Sequence, residues 1–485
     1  MALHRGEDGT ALASNALAFR IQPAVRRSGA DDPTKHTGEP MTIIEASIPF
    51  FFLLIGLKLL VARVRGRRYV RLNDSVADLS LGTLSQLADV FVKVVSVGIY
   101  AVVQGQLAIQ HFLPVPRWAD AAPFVSAHGF PGFSVRLVPL ASWVAVFLLV
   151  DLAYYWEHRQ SHLVNVLWAG HVVHHSSEEY NLTVALRQSS LHGLMTWVFF
   201  VPLALAGVPV RMFAACYTIN LVYQFWIHTR AVGRLWAPLE WVLNTPSHHR
   251  VHHGTNPRYL DRNYAGVLIV WDRLFGTFEP EREEVVYGLT KPLASWNPLW
   301  ANVHVFAGIA RDFARSRTWA DRWRVLFGHP GWRPAYLVSA DTPRSTTSVQ
   351  TPKPAAQEKY DPPVARAAVA YAVGQFVVTL LASIRILAVS GTLALHQNLA
   401  LVFYVALTLN DVGALFEGKR WAFALEAARL ATSLGIAAVL GATGGVPLPF
   451  AVGGAAYAAL SLAMLAWARR FADEPQPAVL TPSIG

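Results

Sequence analysis

What most constrains this chain is a series of apolar stretches, each as long as a lipid bilayer is thick. From Ile43 to Ala62 it reads IIEASIPFFFLLIGLKLLVA, about 20 residues and so about 30 Å of helix, the depth of a hydrocarbon core. Eight more runs follow, near 82–107, 137–156, 191–207, 211–228, 365–388, 393–409, 421–441 and 449–468. Only 15% of residues are charged, against roughly 25% in a soluble globular chain. Inside lipid every backbone N–H and C=O must be paired within its own segment, and runs of this length do so as helices. The expectation is an all-α integral membrane protein, a multi-span helical bundle.

Charge gives the bundle a direction. The first run ends in RVRGRRYVR at 63–71, and the positive-inside rule places such a segment in the cytoplasm. Walking the runs from there leaves the long polar segment 229–362 on the cytoplasmic side, together with Lys419, Arg420, Arg469 and Arg470. The net charge of +10 comes from 34 Arg and 7 Lys that sit mostly beside apolar runs, so they mark topology and no nucleic-acid partner is expected. The excess of Arg over Lys, with abundant Ala, Gly and Val, fits a GC-rich bacterial genome and hence an inner-membrane location. The lone cysteine, Cys216, lies in an apolar run and reads as a small hydrophobe. Residues 1–40 are expected to be a disordered tail, with Met41 as an alternative start and the Arg26-Arg27 pair as coincidence. The main unit is expected at 41–345 with its core at 146–279, followed by a linker at 346–362, an accessory four-span region at 363–470 and a tail at 471–485.

Histidine carries the chemistry. Eleven of 18 His fall between 158 and 253, more than core packing calls for. His158 and His162 are four apart. His171, His174 and His175 are spaced three and four, a pattern that His249, His252 and His253 repeat. Residues three and four apart share a helix face, so each box can aim its imidazoles at one point. His228 stands alone at the end of the fifth run, and all the boxes emerge on one side of the membrane. Imidazole suits Zn, Cu, Fe or Ni, and nine candidate ligands exceed the four of a structural zinc or the three of a catalytic one. Two metals are required. The zinc-hydrolase pattern HExxH fails because Arg159 follows His158, which leaves a redox-active pair, with two iron ions as the usual occupants. His248 is left open as a tenth ligand. His192, on the fourth run, reads as an ordinary polar residue, as do the scattered remaining histidines.

The segments HRQSH from 158, HVVHH from 171 and HHRVHH from 248, closed by NYAGVLIVWDRLFGTF at 263–278, resemble the fatty acid hydroxylase and sterol desaturase superfamily of membrane di-iron enzymes. Within it, WAGHVVHHSSEEYNLTVALRQS at 168–189, YQFWIHT at 223–229 and LNTPSHHRVHHGTN at 243–256 resemble the alkylglycerol monooxygenase branch. The resemblance runs from about 43 to 335 and implies a cytoplasmic histidine-box di-iron cap. It also implies a lipid substrate, O2, and an electron donor that in the branch is tetrahydrobiopterin, with hydroxylation of the ether-bearing carbon as the reaction. One position departs from that pattern: Leu163 stands where the branch carries an acidic residue tied to the pterin, while Glu157 precedes the first His. A ferredoxin or cytochrome is the alternative donor.

Glu178, Glu179, Tyr180, Asn181 and Arg187 follow the second box, where they either meet the reductant or headgroup or serve as ordinary capping and surface residues. Asp151, seven before His158, either hydrogen-bonds a ligand imidazole or is structural. Trp271, Asp272, Arg273 and Phe275 are expected to pack the cap. Two rivals remain. The same centre serves sterol, carotenoid or fatty acid hydroxylases and desaturases, whereas a metal transporter or sensor would place its histidines within the spans. All the proposed ligands precede residue 345, so a chain stopped there is expected to keep its metal.

Overall fold

The computed structural model describes residues 43–64, 66, 70–119, 137–338 and 359–471, with the backbone of 125–127 and 133–135. The expected tail 1–40, most of the linker 346–362 and all of the tail 471–485 except Phe471 lie outside the described residues. Among the described residues the chain is helical apart from one antiparallel hairpin. Its helices are α1 (Ile43–Val64), α2 (Leu72–Leu107), α3 (Leu137–Leu163), α4 (Asn165–His175), α5 (His192–Thr196), α6 (Val201–Leu205), α7 (Val210–Ile227) and α8 (Ala237–Val242). They continue as α9 (Pro246–His252), α10 (Val270–Leu274), α11 (Pro298–Arg315), α12 (Trp319–Phe327), α13 (Arg366–Val389), α14 (Leu395–Phe416), α15 (Arg420–Ala442) and α16 (Leu448–Arg470). In the hairpin, β1 (Val125–Ala127) pairs with β2 (Phe133–Val135), and Val125 lies opposite Val135.

Six helices are long and apolar enough to cross a membrane: Leu72–His111, Val138–Leu163, Arg366–Thr392, Leu395–Phe416, Arg420–Ala442 and Leu448–Arg470. Three of the nine expected spans come out differently. The first is a helix, α1, but it contains Pro49, and its apolar part shortens to Pro49–Leu60. The run at 191–207 is broken into α5, a tight turn at Trp197–Phe200 and α6, where Pro202 lacks the N–H that a continuous helix would use. The run at 211–228 forms α7, whose polar residues Asn220 and Gln224 are buried and bonded inward to Asp151 and Tyr154.

Two apolar cores hold these helices. Tyr100, Val150, Phe200, Leu203, Met212 and Cys216 join α2, α3, α6 and α7, with the Tyr100 hydroxyl donating to Val208 O at 3.0 Å. Cys216 is buried there as a free thiol. A second core packs Val76, Leu84 and Leu87 of α2 against Tyr371, Phe376, Leu409 and Phe416 of the C-terminal helices. Between membrane helices, close packing and polar contacts replace the hydrophobic effect as the source of association. The C-terminal helices accordingly bury Arg429 against Glu426, which also accepts from the Tyr371 hydroxyl at 2.7 Å.

The C-terminal helices are also fastened to the cap. Glu417 Oε1 accepts from Ser295 Oγ and from Trp296 N, both at 2.6 Å, and Asn297 Nδ2 donates to Asn410 at 2.7 Å. Tyr360 N donates to Glu178 at 2.7 Å, and Lys359 pairs with Glu179. The position of the ligands in the sequence predicts that a chain stopped near 345 keeps its metal. The shared core predicts the reverse, because the cut bares one face of α2 and removes the Tyr360 N–H from Glu178 and Lys359 from Glu179. Such a chain, purified in detergent, is expected to lose both its thermal transition and its metal. Full metal content would show that the C-terminal helices are dispensable.

Candidate metal centre

Four backbone devices bring the histidine boxes together. α3 carries His158 and His162 on one face. Val164 is extended, at φ −110° and ψ 119°, so the helix breaks and α4 doubles back with His171, His174 and His175 facing α3. α7 ends at His228, which leaves the helix at ψ 67°. α9 begins at Thr245, with Pro246 in the first turn where its missing N–H is harmless, and presents His249 and His252, with His253 as the capping residue.

All nine predicted ligands converge, and they do so in two groups. His158, His162, His171, His175 and His252 form one, and His174, His228, His249 and His253 the other. Within each group the candidate ligand nitrogens lie within 4.8 Å of one another, and every ring is buried. The groups adjoin, with the His175 and His253 rings stacked at 4.4 Å.

Hydrogen bonds on the far side of the rings fix which nitrogen faces inward. Nδ1 of His158 lies 2.8 Å from Tyr264 O, that of His174 3.1 Å from Arg187 O, that of His228 2.7 Å from Gln224 O and that of His252 3.0 Å from Arg262 O. A carbonyl only accepts, so in each neutral ring the proton sits on Nδ1 and Nε2 is a bare lone pair. His174 Nε2 and His228 Nε2 then face each other at 3.3 Å, which is repulsive unless a cation lies between them. Other inward nitrogens are 3.0 Å apart between His158 and His171, 3.1 Å between His171 and His175, and 3.0 Å between His228 and His249. Two nitrogens at about 2.1 Å from one metal and at right angles to it are about 3 Å apart, so the donor set fits metal ions. His162, His252 and His253 each have an Nε2 that is buried without a hydrogen-bond partner.

Electrostatics favour the ligand form. Burial, reinforced by neighbouring imidazoles, holds His171, His175, His249, His252 and His253 well below the usual histidine value. Burial takes His174 down to about 4. These six rings are therefore neutral at physiological pH, as metal binding requires.

Around the rings lies a set of buried polar residues. Arg187 donates to Val173 O at 2.8 Å and to Ser176 Oγ at 2.7 Å, and pairs with fully buried Asp78 of α2 at 3.1 Å. Asp272 accepts from Tyr264 N and Ala265 N, both at 2.8 Å, and so sets the carbonyl that holds His158. Asp151 touches no imidazole. It accepts from Asn220, Val267 N, Leu268 N and the Trp271 indole, tying α3 and α7 to the loop before α10. Phe275 stacks on Tyr155 at 5.2 Å, and Arg273 lies 3.7 Å over the Phe278 ring, so the WDR segment packs the cap.

His248 stays outside both groups, with its Nε2 3.0 Å from Glu240. Glu178 and Glu179 are engaged by Tyr360 N, Lys359 and Arg230. Tyr180 is buried, with its ring centre 5.2 Å from that of His253 and its hydroxyl donating to Ile227 O at 3.2 Å. Asn181 Oδ1 accepts from Thr183. Two features escaped sequence reasoning. His192 Nε2 lies 2.8 Å from Glu157, and its ring lies 5.2 Å from that of His171, so it is not a remote polar residue. Asp261 faces His162 Nδ1 at 3.6 Å. An ionisable residue inside an apolar run was the available signal for His192, whereas Asp78 lies before the run at 82–107 and nothing local marked it.

Helical spans that end together at a buried imidazole cluster define a class of membrane metalloenzyme. The sequence model of the fatty acid hydroxylase family matches residues 143–277, the stretch that holds every candidate ligand. The chain is 36% identical to alkylglycerol monooxygenase of Xenopus tropicalis, 37% to that of Homo sapiens and 36% to that of Danio rerio, in each case over 80% of both chains. It belongs to the alkylglycerol monooxygenase family, and is an integral, multi-pass membrane oxidoreductase acting on lipid. No solved structure matches it.

Two outcomes test the site. Replacing Arg187 with Met strands the buried Asp78 carboxylate and should cost about 3–5 kcal/mol in a denaturation experiment, with metal lost alongside. A change within error would mean that the pair does not support the second box. The second outcome concerns pH. His174 falls from the ordinary 6.5 to about 4 on folding, so between these values the unfolded chain binds more protons. Stability of metal-free protein should thus be full above about pH 6.5 and fall as pH drops toward 4, read as a declining thermal midpoint. A flat profile across that window would contradict the burial of neutral rings.

Proposed function

We propose that this protein is a di-iron monooxygenase that hydroxylates the ether-bearing carbon of alkylglycerols. The carrying observation is the pair of converging imidazole groups, in a chain 37% identical to human alkylglycerol monooxygenase. His158, His162, His171, His175 and His252 would hold one iron, and His174, His228, His249 and His253 the other. Bound there, the irons supply the activation of O2. The chain's own residues do the rest. Backbone carbonyls of Tyr264, Arg187, Gln224 and Arg262 keep the ring protons turned away from the metals. The apolar helices beneath the site take the alkyl chain and exclude water, so the glycerol headgroup stays at the cap and the ether carbon comes to the histidines. Hydroxylation consumes one O2, two electrons and two protons and releases one water. The hemiacetal formed collapses to a fatty aldehyde and a glycerol without further catalysis.

As electron donor we propose either tetrahydrobiopterin, met by Glu178, Tyr180 and Asn181 beside the second group, where Asn181 Nδ2 is buried without a hydrogen-bond partner, or, because Leu163 stands where the branch carries the pterin-linked acid, a ferredoxin or cytochrome. The hydroxylase unit is proposed at 41–345, with 363–470 as an accessory region whose packing on α2 its fold requires. The arginines at 63–71 and the charges at 419, 420, 469 and 470 support a cytoplasmic site in a bacterial inner membrane.

The test is product analysis of the purified protein with O2 and either tetrahydrobiopterin or whole-membrane reductants. A fatty aldehyde should appear from an alkylglycerol and not from the matching ester. His174→Ala or His252→Ala should abolish it while membrane insertion persists. Hydroxylation or desaturation of a sterol, carotenoid or free acyl chain, without aldehyde, would move the protein to the rival reading.

A further inference from the structure

The helix pair α11 and α12 presents an apolar surface that no other part of the described chain covers. On α12 the residues Trp319, Trp323 and Phe327, spaced i, i+4 and i+8 on one face, are 68%, 60% and 51% exposed. Trp323 and Phe327 stack at 5.1 Å, so they form a continuous ridge. The opposite face already has its partner: Val325 is buried and packs, with Leu326, against Ala169 of α4 and Ile309 of α11. The outer ridge is therefore surplus to the core, and an exposed patch of large aromatics marks a binding surface.

Its place in the fold says what covers it. The first residues of α11 are tied to the end of membrane helix α14, where Asn297 Nδ2 donates to Asn410 at 2.7 Å. The end of α12 is tied to the first residue of α4, two past the end of membrane helix α3: Gly328 O accepts from Asn165 N at 2.9 Å, and Val325 O from Asn165 Nδ2 at 2.8 Å. These two span ends lie on one side of the bundle. Trp296, Tyr360 and Phe416 pack together, and Tyr360 O accepts from Arg71 at the start of α2. The pair, α11 with 18 residues and α12 with nine, thus connects these two span ends on the cap side of the membrane.

Its side chains suit the headgroup layer. Arg322 sits 4.7 Å over the Trp319 ring, Arg317 4.6 Å over Tyr336 and Arg324 5.9 Å over Trp332, so cationic groups rim the aromatics. Tryptophan and phenylalanine on one edge with arginine beside them is the composition of a helix that beds into a bilayer surface bearing anionic lipid. We propose that α12 is an interfacial helix whose ridge of Trp319, Trp323 and Phe327 inserts among anionic headgroups of the membrane that the spans cross. This assignment is independent of the substrate.

Spin labelling of the full-length protein tests it. Cys216→Ala removes the lone cysteine, and cysteine is then introduced singly at 319, 323 or 327, with Glu284→Cys as an exposed control in the cap. In vesicles of phosphatidylcholine and phosphatidylglycerol, labels on the ridge should collide with lipid-dissolved oxygen and avoid a water-soluble nickel chelate. The oxygen-to-nickel ratio should be about tenfold that at 284, at a depth of about 5–10 Å below the phosphates. In a Trp319→Asp, Trp323→Asp background the label at 327 should shift toward water, and if that variant does not fold, the single labels still decide. Nickel access on the ridge equal to that at 284 would overturn the proposal. So would protection from both reagents with spin–spin broadening, which would show a second copy of the chain on this face.

Discussion

The site depends on a hydrogen bond that is made away from it. Four imidazoles give their Nδ1 protons to backbone carbonyls, and each such bond turns a bare Nε2 inward. Without those carbonyls the rings could tautomerise or rotate, and nine histidines would be a buried polar cluster with no common centre. With them, four rings present bare Nε2 lone pairs inward, the donor set a metal ion takes. Much of the surrounding structure serves those carbonyls. Asp272 fixes the backbone at Tyr264, and Arg187, whose own carbonyl holds His174, is fixed by Asp78 from α2.

The same logic explains why membrane helices and cap cannot be separated. The histidines come from the end of a span, from a helix doubled back on it, from the end of α7 and from a cap helix. Any shift among these elements changes distances of about 3 Å between ring nitrogens. Buried carboxylates act as rivets between them. Asp151 gathers α3, α7 and the loop before α10, and Asp78 reaches from α2 to the second box.

The candidate ligands were legible in the sequence because their spacing repeats on helices: the i, i+3 and i+4 pattern picked out eight, with His228 alone at the end of its run, and the structure brings all nine together. Their supports were not legible. A carbonyl acceptor has no residue identity, so nothing in the letters at 187, 224, 262 or 264 announces it. Asp78 is 105 residues from Thr183 and 109 from Arg187, and it lies before the apolar run at 82–107, so nothing local hinted at a role. The spans show a similar limit. Hydropathy found α2, α3 and α13 to α16, but it read 191–207 as continuous where Pro202 and the turn at Trp197–Phe200 break it. It also passed over His192, because its partner Glu157 is brought near only by folding.

If nine imidazole nitrogens hold two irons, iron X-ray absorption on the purified protein, with iron counted per chain, should show about two irons per chain, a first shell dominated by imidazole nitrogen near about 2.1 Å, and multiple scattering from the rings. A single zinc in place of iron, or iron bound mainly by sulfur or carboxylate oxygen, would contradict it.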